Sequence, residues 1–265
     1  MKNETVLITG ASSGIGLELA KCFAAEGCRL VLTARNQAAL ENLATGLRQK
    51  QNVECIILSV DLSRPDGPKE IFDSLTAQKI AVDVLVNNAG FGLHGAFAQL
   101  PLQRQLDMIQ VNVTSLAGLT GLFLPAMLER GHGGILNVGS VAGFVPGPGM
   151  AVYYATKAFV QSFSEALATE LEETGVSVTV LCPGPTETNF GAVARGNKVR
   201  ARQSGKMSAE AVARYGHGAF RRQRVSAIPG VRNQALVTLT RIVPRRTIRN
   251  AIKSYNTFKP TEPRP

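Results

Sequence analysis

Short apolar runs alternate along the chain with longer stretches in which apolar residues recur at helical spacing. The runs are Val6 to Thr9, Arg29 to Thr33, Cys55 to Val60, Val82 to Val86, Gly134 to Val138 and Val176 to Cys182, and each gap between them can hold a helix. A strand covered on both faces reads as a continuous apolar run, whereas a strand with one wetted face alternates. Regular strand–helix alternation implies parallel pairing through right-handed crossovers. Val225 to Ile228, followed by Pro229-Gly230, reads as a last strand entering a turn. The pattern predicts a doubly wound α/β fold of Rossmann type, with a seven-stranded parallel sheet flanked by helices. A further helix is expected from Ser208, and the polar, basic stretch Arg195 to Lys206 reads as a mobile loop.

Composition narrows the class. The 265 residues are 45% hydrophobic, which is enough for a large core and excludes disordered and fibrous classes. One unit spanning 1–265 is expected, with a cofactor and catalytic core at 1–189 and a basic segment at 190–265. No uninterrupted apolar run approaches the roughly 20 residues of a membrane span, and Thr5-Val6-Leu7-Ile8 already reads as strand, so a cytoplasmic protein is expected. Cys22, Cys28, Cys55 and Cys182 form no C-x-x-C pair and have no histidine at ligand spacing; reduced, mostly buried thiols and no metal site are expected. Charge is divided unevenly: residues 1–189 sum to −5 and residues 190–265 to +15.

The first strand runs into Thr9-Gly10-Ala11-Ser12-Ser13-Gly14-Ile15-Gly16, after which Leu17, Ala20 and Phe23 fit a helix. Glycines in such a turn let the backbone approach a pyrophosphate, and the free N–H groups of the helix start face its charge. The second strand ends at Ala34-Arg35, where many NAD-binding folds carry an acid for the ribose 2′-hydroxyl. An acid would repel a 2′-phosphate; the always-charged guanidinium of Arg35 can clamp one, which favours NADP(H). Tyr153 and Lys157 stand four apart at the start of a long helical pattern, so an ammonium one turn on can lower the phenol pKa and make Tyr153 a usable general acid. Ser140, thirteen positions upstream at the end of a strand, can polarise a carbonyl.

With these pieces in order, the chain resembles the short-chain dehydrogenase/reductase family over nearly its whole length. The matching pieces are Thr9 to Gly16, Asp61-Leu62, Asn87-Asn88-Ala89-Gly90, Asn112, Ser140, Tyr153 with Lys157, and Pro183-Gly184 with Thr188. It is most similar to a bacterial-type subgroup of undefined substrate, through Asn88 to Gly92, Cys182 to Thr186 and Met207 to Glu210. The resemblance implies that Asp61 accepts from the adenine amino group and that Asn88, Ala89 and Gly90 line the adenine ribose. Gly10, Ser12, Ser13, Gly14, Ile15, Gly16 and Leu62 would complete the nucleotide site. Asn112 would distort its helix to hold a water linking Lys157 to solvent, and Pro183, Gly184, Thr186 and Thr188 would face the nicotinamide. Ser140, Tyr153, Lys157 and Asn112 would serve reversible hydride transfer with a carbonyl or alcohol, Ser140 holding the oxygen, Tyr153 donating the proton and Lys157 contacting the nicotinamide ribose. Tyr154, without a lysine four residues on, is assigned to packing. A homodimer or homotetramer through the helices around Asn112 and Tyr153 is likewise implied.

The carboxyl-terminal quarter leaves alternatives open. After Pro244, helical spacing puts Ile248, Ala251, Ile252 and Tyr255 on one side and Arg245, Arg246, Arg249 and Lys253 largely elsewhere. Such a segment can be an ordinary surface helix, cover the substrate cleft, steer an anionic substrate, or make weak peripheral contact with an anionic membrane. Nucleic acid is not expected as a partner, because no aromatic residue interleaves the basic ones between Phe190 and Tyr215. Phe144, Val145, Met150 and Phe190 suggest an apolar substrate pocket, walled by residues 144–150 and 190–206. The alternative function is a non-catalytic NADP(H)-binding sensor or interaction protein that kept the fold without the chemistry.

Overall fold

The computed structural model of the chain describes residues 4–188, 190–195 and 206–256. Nine strands and ten helices follow in chain order among these residues: β1 (Thr5–Thr9), α1 (Gly14–Ala25), β2 (Arg29–Ala34), α2 (Gln37–Gln51), β3 (Cys55–Ser59), α3 (Gly67–Ala77), β4 (Val84–Asn87), α4 (Leu102–Ile109), α5 (Ser115–Arg130), β5 (Gly133–Val138), α6 (Ala151–Glu170), β6 (Val176–Leu181), β7 (Thr186–Glu187), α7 (Phe190–Arg195), β8 (Met207–Ser208), α8 (Ala209–Arg221), β9 (Ser226–Ala227), α9 (Val231–Leu239) and α10 (Arg245–Tyr255). Seven strands form one parallel sheet in the order β3-β2-β1-β4-β5-β6-β9, as the apolar runs predict. The two-residue ribbon β7–β8 has no counterpart in that pattern; two residues carry too little periodicity to be read. The predicted loop lies, from residue 196 to 205, outside the described residues.

The sheet explains why its strands read as unbroken apolar runs. Along β1, Val6 and Ile8 join Leu19, Phe23 and Leu40 on one face, whereas Leu7 joins Ile71, Leu119 and Phe123 on the other. Successive side chains in a strand point to opposite faces, so helices on both sides require apolar residues at every position. Burying a large aliphatic side chain contributes roughly 1.5–3 kcal/mol. Local caps set the helix boundaries: Asn36 Oδ1 accepts from Ala39 N at 3.0 Å, Ser208 Oγ accepts from Ala211 N at 3.1 Å, and Gly131 closes α5 in the left-handed region at φ 67.

The helical run Leu102–Arg130 has a mean hydropathy of 1.5 in its most apolar window, long and apolar enough to cross a membrane by length and composition. Counting uninterrupted apolar residues overlooks it, because Asn112, Thr114 and Ser115 break the run. In the fold Leu116, Leu119, Phe123 and Met127 pack into the core, and Ser115 Oγ donates to Leu62 O at 2.7 Å. One side of the run thus packs into the core, and 39% of the apolar window is buried.

Candidate active site

Strand order reverses between β1 and β4, and in open α/β sheets ligands bind outside the carboxyl ends of the strands at such a point. There the structure has a continuous cleft of about 1700 Å³, beyond the roughly 300–1000 Å³ of a pocket for one drug-sized ligand.

At one end lies the turn after β1. Gly10 and Gly14 take φ +65 and +58, and a Cβ at Gly16 would stand 2.5 Å from the carbonyl oxygen of Gly10. Only glycine fits there. Ser13 caps α1 with extended backbone and no side-chain capping bond, so the cap leaves the helix's first N–H donors to a ligand. Ser12, Ser13, Gly14 and Ile15 line the cleft, while Gly16 lies beneath it. Asn88 fastens the turn from behind: its Nδ2 donates to Thr9 O at 2.8 Å and Gly10 O at 3.1 Å, and its N–H donates to Thr9 Oγ1 at 2.9 Å. Its side chain is thus committed to the turn, though Asn88, Ala89 and Gly90 all line the cleft. Thr9, which opens the motif but to which the sequence assigned no role, also accepts from Ala89 N at 2.9 Å.

Arg35 leaves β2 exposed at the rim beside Asn36 and Gln37. Leu62 and Asp61 follow on the same wall. Partial burial pushes the Asp61 carboxyl upward, but bonds from Ser63 and the nearby charges of Arg35 and Arg64 prevail and hold it below its ordinary value. Asp61 Oδ1 accepts from Ser63 N at 2.9 Å.

The other end gathers Ser140, Tyr153 and Lys157; Pro183, Gly184 and Thr186 line the same cleft, and Thr188 reaches back to the glycine turn, where a Cβ at Gly14 would stand 3.1 Å from its Cγ2. Ser140 ends β5 in extended backbone, accepts from Ala142 N at 3.1 Å and donates to Pro183 O at 3.4 Å. Tyr153 and Lys157 are buried on α6. Burial pushes the Tyr153 phenol up to about 12, with a bond from Ser140 acting in the opposite sense. Burial brings Lys157 down to about 8, the neighbouring Cys182 opposing. The expectation that Lys157 lowers the tyrosine pKa is therefore corrected. Four-residue spacing aligns Cβ atoms, but Lys157 Nζ donates to Val138 O at 2.7 Å, and desolvation of the phenol dominates.

Asn112 does not line the cleft; it stands behind it in a π-helical turn, Gln110–Thr114, between α4 and α5. The distortion implied by the family resemblance is present. Asn112 Nδ2 donates to Phe91 O at 3.0 Å and Thr156 Oγ1 at 3.1 Å, and its Oδ1 accepts from Phe91 N at 3.1 Å. It ties the loop after β4 to the residue preceding Lys157.

The cleft has a wall that periodicity alone did not locate. Leu236 and Val237 from α9, Thr240 just past its end, and Ile248, Ala251 and Ile252 from α10 line it. The apolar side of the basic helix is thus turned to the cleft. Asn256, 3% exposed, anchors its end: Nδ2 donates to Pro148 O at 2.8 Å, and the carbonyl lies 2.8 Å from His94 Nε2. Tyr154 OH reaches Asn256 Oδ1 at 3.5 Å, so Tyr154 does more than pack. All four cysteines are free, and three are buried.

Comparison with known proteins agrees with this geometry. A family model described as short chain dehydrogenase matches residues 4–198. The chain is 41% identical over 196 residues to sulfoacetaldehyde reductase 2 of Chromohalobacter salexigens, covering 73% of this chain and 77% of that protein. Two further relatives, 36% and 35% identical, are spanned over only 62% and 60% of their own length. A short-chain dehydrogenase from Sphingobium yanoikuyae in complex with NADPH superposes with a TM-score of 0.81 at 33% identity, covering 91% of this chain and 97% of that one. One from Burkholderia phymatum in complex with NAD gives 0.80 at 26% identity, covering 100% and 98%.

Proposed function

The chain belongs to the short-chain dehydrogenase family, an oxidoreductase that works with a nicotinamide nucleotide on carbonyl or alcohol groups, and from that premise we propose an NADP-dependent reductase of apolar ketones or aldehydes with Tyr153 as general acid. One observation carries the reading: a single cleft has the guanidinium of Arg35 at its nucleotide rim and Ser140, Tyr153 and Lys157 together at its far end.

The residues fit the cofactor on their own chemistry. The glycine turn leaves room for a pyrophosphate, and Arg35 offers a planar donor to a 2′-phosphate with no carboxylate of its own strand end to oppose it. When bound, NADPH supplies the hydride. The chain's residues handle the oxygen. Ser140 holds the substrate carbonyl oxygen, and the Tyr153 phenol, fully protonated at neutral pH with a pKa of about 12, donates to it. Lys157, still mostly charged at pH 7, lies beside them as the cation nearest the developing negative charge. Asn112 keeps the loop after β4 and the Thr156–Lys157 turn in register, and the water relay from Lys157 to solvent belongs to this proposal.

A homo-oligomer, dimer or tetramer, is supported by the exposed apolar row Leu102, Leu106 and Ile109 on α4, with Phe159 on neighbouring α6. Cytoplasmic residence is inferred from the sequence pattern. The placement of Ile248, Ala251 and Ile252 favours a cleft cover over a lipid-facing helix.

The test is loss of reduced-nicotinamide fluorescence across a panel of aliphatic and aromatic ketones and aldehydes, with NADPH and NADH in parallel. Consumption of NADPH, favoured by about tenfold or more, is expected. Binding without consumption would establish the sensor alternative instead, and equal use of both nucleotides would remove the NADP assignment.

A further inference from the structure

The substrate half of the cleft is electrostatically one-sided. Among its described lining residues the single carboxylate is Asp61, at the nucleotide end. Apart from Arg35 at that same end, the charged groups among the described lining residues are Lys157, committed to Val138 O, and Arg232, in the first turn of α9. Arg232 has no ion pair or hydrogen bond among the described residues, and from Ala211 to Asn256 the chain contains no Asp or Glu at all. A cation in the first turn of a helix also opposes the helix dipole, at about 0.3–1 kcal/mol.

Its position is set by its neighbour. Asn233 Nδ2 donates to Pro229 O at 2.7 Å, and the Asn233 amide lies so close to Gly184 that a Cβ there would stand 2.6 Å from Asn233 Oδ1. Arg232 is therefore one residue from a contact with the loop after β6 that carries Thr186 and Thr188. From it, Leu236, Val237, Val243, Ile248 and Ile252 continue the cleft as an aliphatic wall.

We propose that the cleft selects amphipathic carbonyl compounds, with an apolar body along the α9–α10 wall and an anionic group, such as a carboxylate, met by Arg232. The inference rests on the reductase reading and names its substrate class. A guanidinium without a partner among the described residues keeps its donors for a ligand, and a planar carboxylate matches their fork. The uniformly basic segment around it raises the local concentration of anions.

The experiment uses the full chain with NADPH and a homologous series of straight-chain oxocarboxylates, each beside its methyl ester. The best acid should exceed its ester in kcat/KM by about tenfold or more. Arg232→Gln should lower the acid's kcat/KM about ten- to a hundredfold, chiefly through KM, and leave the ester within about threefold. NADPH affinity should not change, and Arg232→Lys should restore part of the preference. Equal use of acid and ester by the wild type, a Gln variant that loses both alike, or one that loses NADPH affinity would each overturn the proposal. Should no carbonyl be reduced, the reductase reading fails by itself. Calorimetric binding of acid and ester to the NADP-loaded protein then decides: a preference that depends on Arg232 sustains the selectivity, and its absence refutes it.

Discussion

From Thr5 to Leu181, six adjacent parallel strands lie between helices; β1 and β4 are buried throughout, β2, β5 and β6 at all but one or two positions, and only the edge strand β3 is mostly half-buried. From Val231 to Tyr255 the chain forms two helices that leave Val231 80%, Ile242 79% and Tyr255 65% exposed. Between them α8 still belongs to the body, with Val212, Ala213 and Phe220 in the core and Arg221 bonded to Glu4 and Glu26. The first region carries net negative charge and the last quarter carries +15. The family model ends at residue 198, so the match covers the nucleotide turn and the Ser140, Tyr153 and Lys157 cluster but not α9 and α10. The contrast teaches where function is shared and where it is particular. Ser140, Tyr153 and Lys157 sit at the end of β5 and the start of α6, whereas the α9–α10 wall rests on a handful of hydrogen bonds around Asn233, Gln234 and Asn256.

The sharpest break between the two regions comes from chemistry. Tyr153→Phe should lower turnover by about a thousandfold and leave NADPH affinity within a few-fold, checked by steady-state kinetics and nucleotide fluorescence. Wild-type turnover in this variant would remove the proton-donor role. Next, Arg35→Ala should weaken NADPH about ten- to a hundredfold with NADH nearly untouched, measured by direct titration. Equal loss for both nucleotides would mean that Arg35 does not read the phosphate.

Lys157 tests the cost of a buried charge in the rigid region. Its pKa is brought to about 8 in the fold from 10.5. Below pH 8 both folded and unfolded chains bind its proton, and the burial penalty is fully present. Between about 8 and 10.5 the unfolded chain holds the proton that the folded chain has released, so this contribution to stability rises with pH. Lys157→Met should therefore raise stability by about 1–3 kcal/mol at pH 7, and the advantage should shrink by pH 9.5, measured by urea unfolding at each pH. The variant should be inactive. A gain that is constant with pH would assign the effect to packing.

The smallest effect is expected in the last quarter. Asn256→Ala removes the bond to Pro148 O and the contact of Tyr154, costing about 1 kcal/mol locally. Hydrogen exchange should quicken in Arg245–Tyr255 while β1 and β4 keep their protection. Uniform quickening across the sheet would show that the two regions unfold together and would blur the contrast drawn above.

Much of this was legible in the residues. Unbroken apolar runs identify strands covered on both faces, and the runs place each main-sheet strand within a few residues, because period and burial are local properties. The glycine turn, Arg35, Ser140, Tyr153 and Lys157 converge as their chemistry implies, each sitting at a strand end or the start of a helix. The direction of the Lys157 ammonium was not legible: spacing fixes Cβ positions, and the carbonyl of Val138 decides the rest. Nor was the supporting role of Thr9, whose hydroxyl bridges β1 to the loop after β4 across 79 and 80 positions.

By itself the sequence determined the layered parallel sheet, the glycine turn and the candidates Ser140, Tyr153 and Lys157, since these follow from periodicity and side-chain chemistry within short windows. Only the tertiary structure decided that burial raises the phenol of Tyr153, that the apolar side of the basic helix turns inward, and that Arg232 lines the cleft. Desolvation and docking depend on what distant segments bring alongside a residue, and no local pattern encodes that.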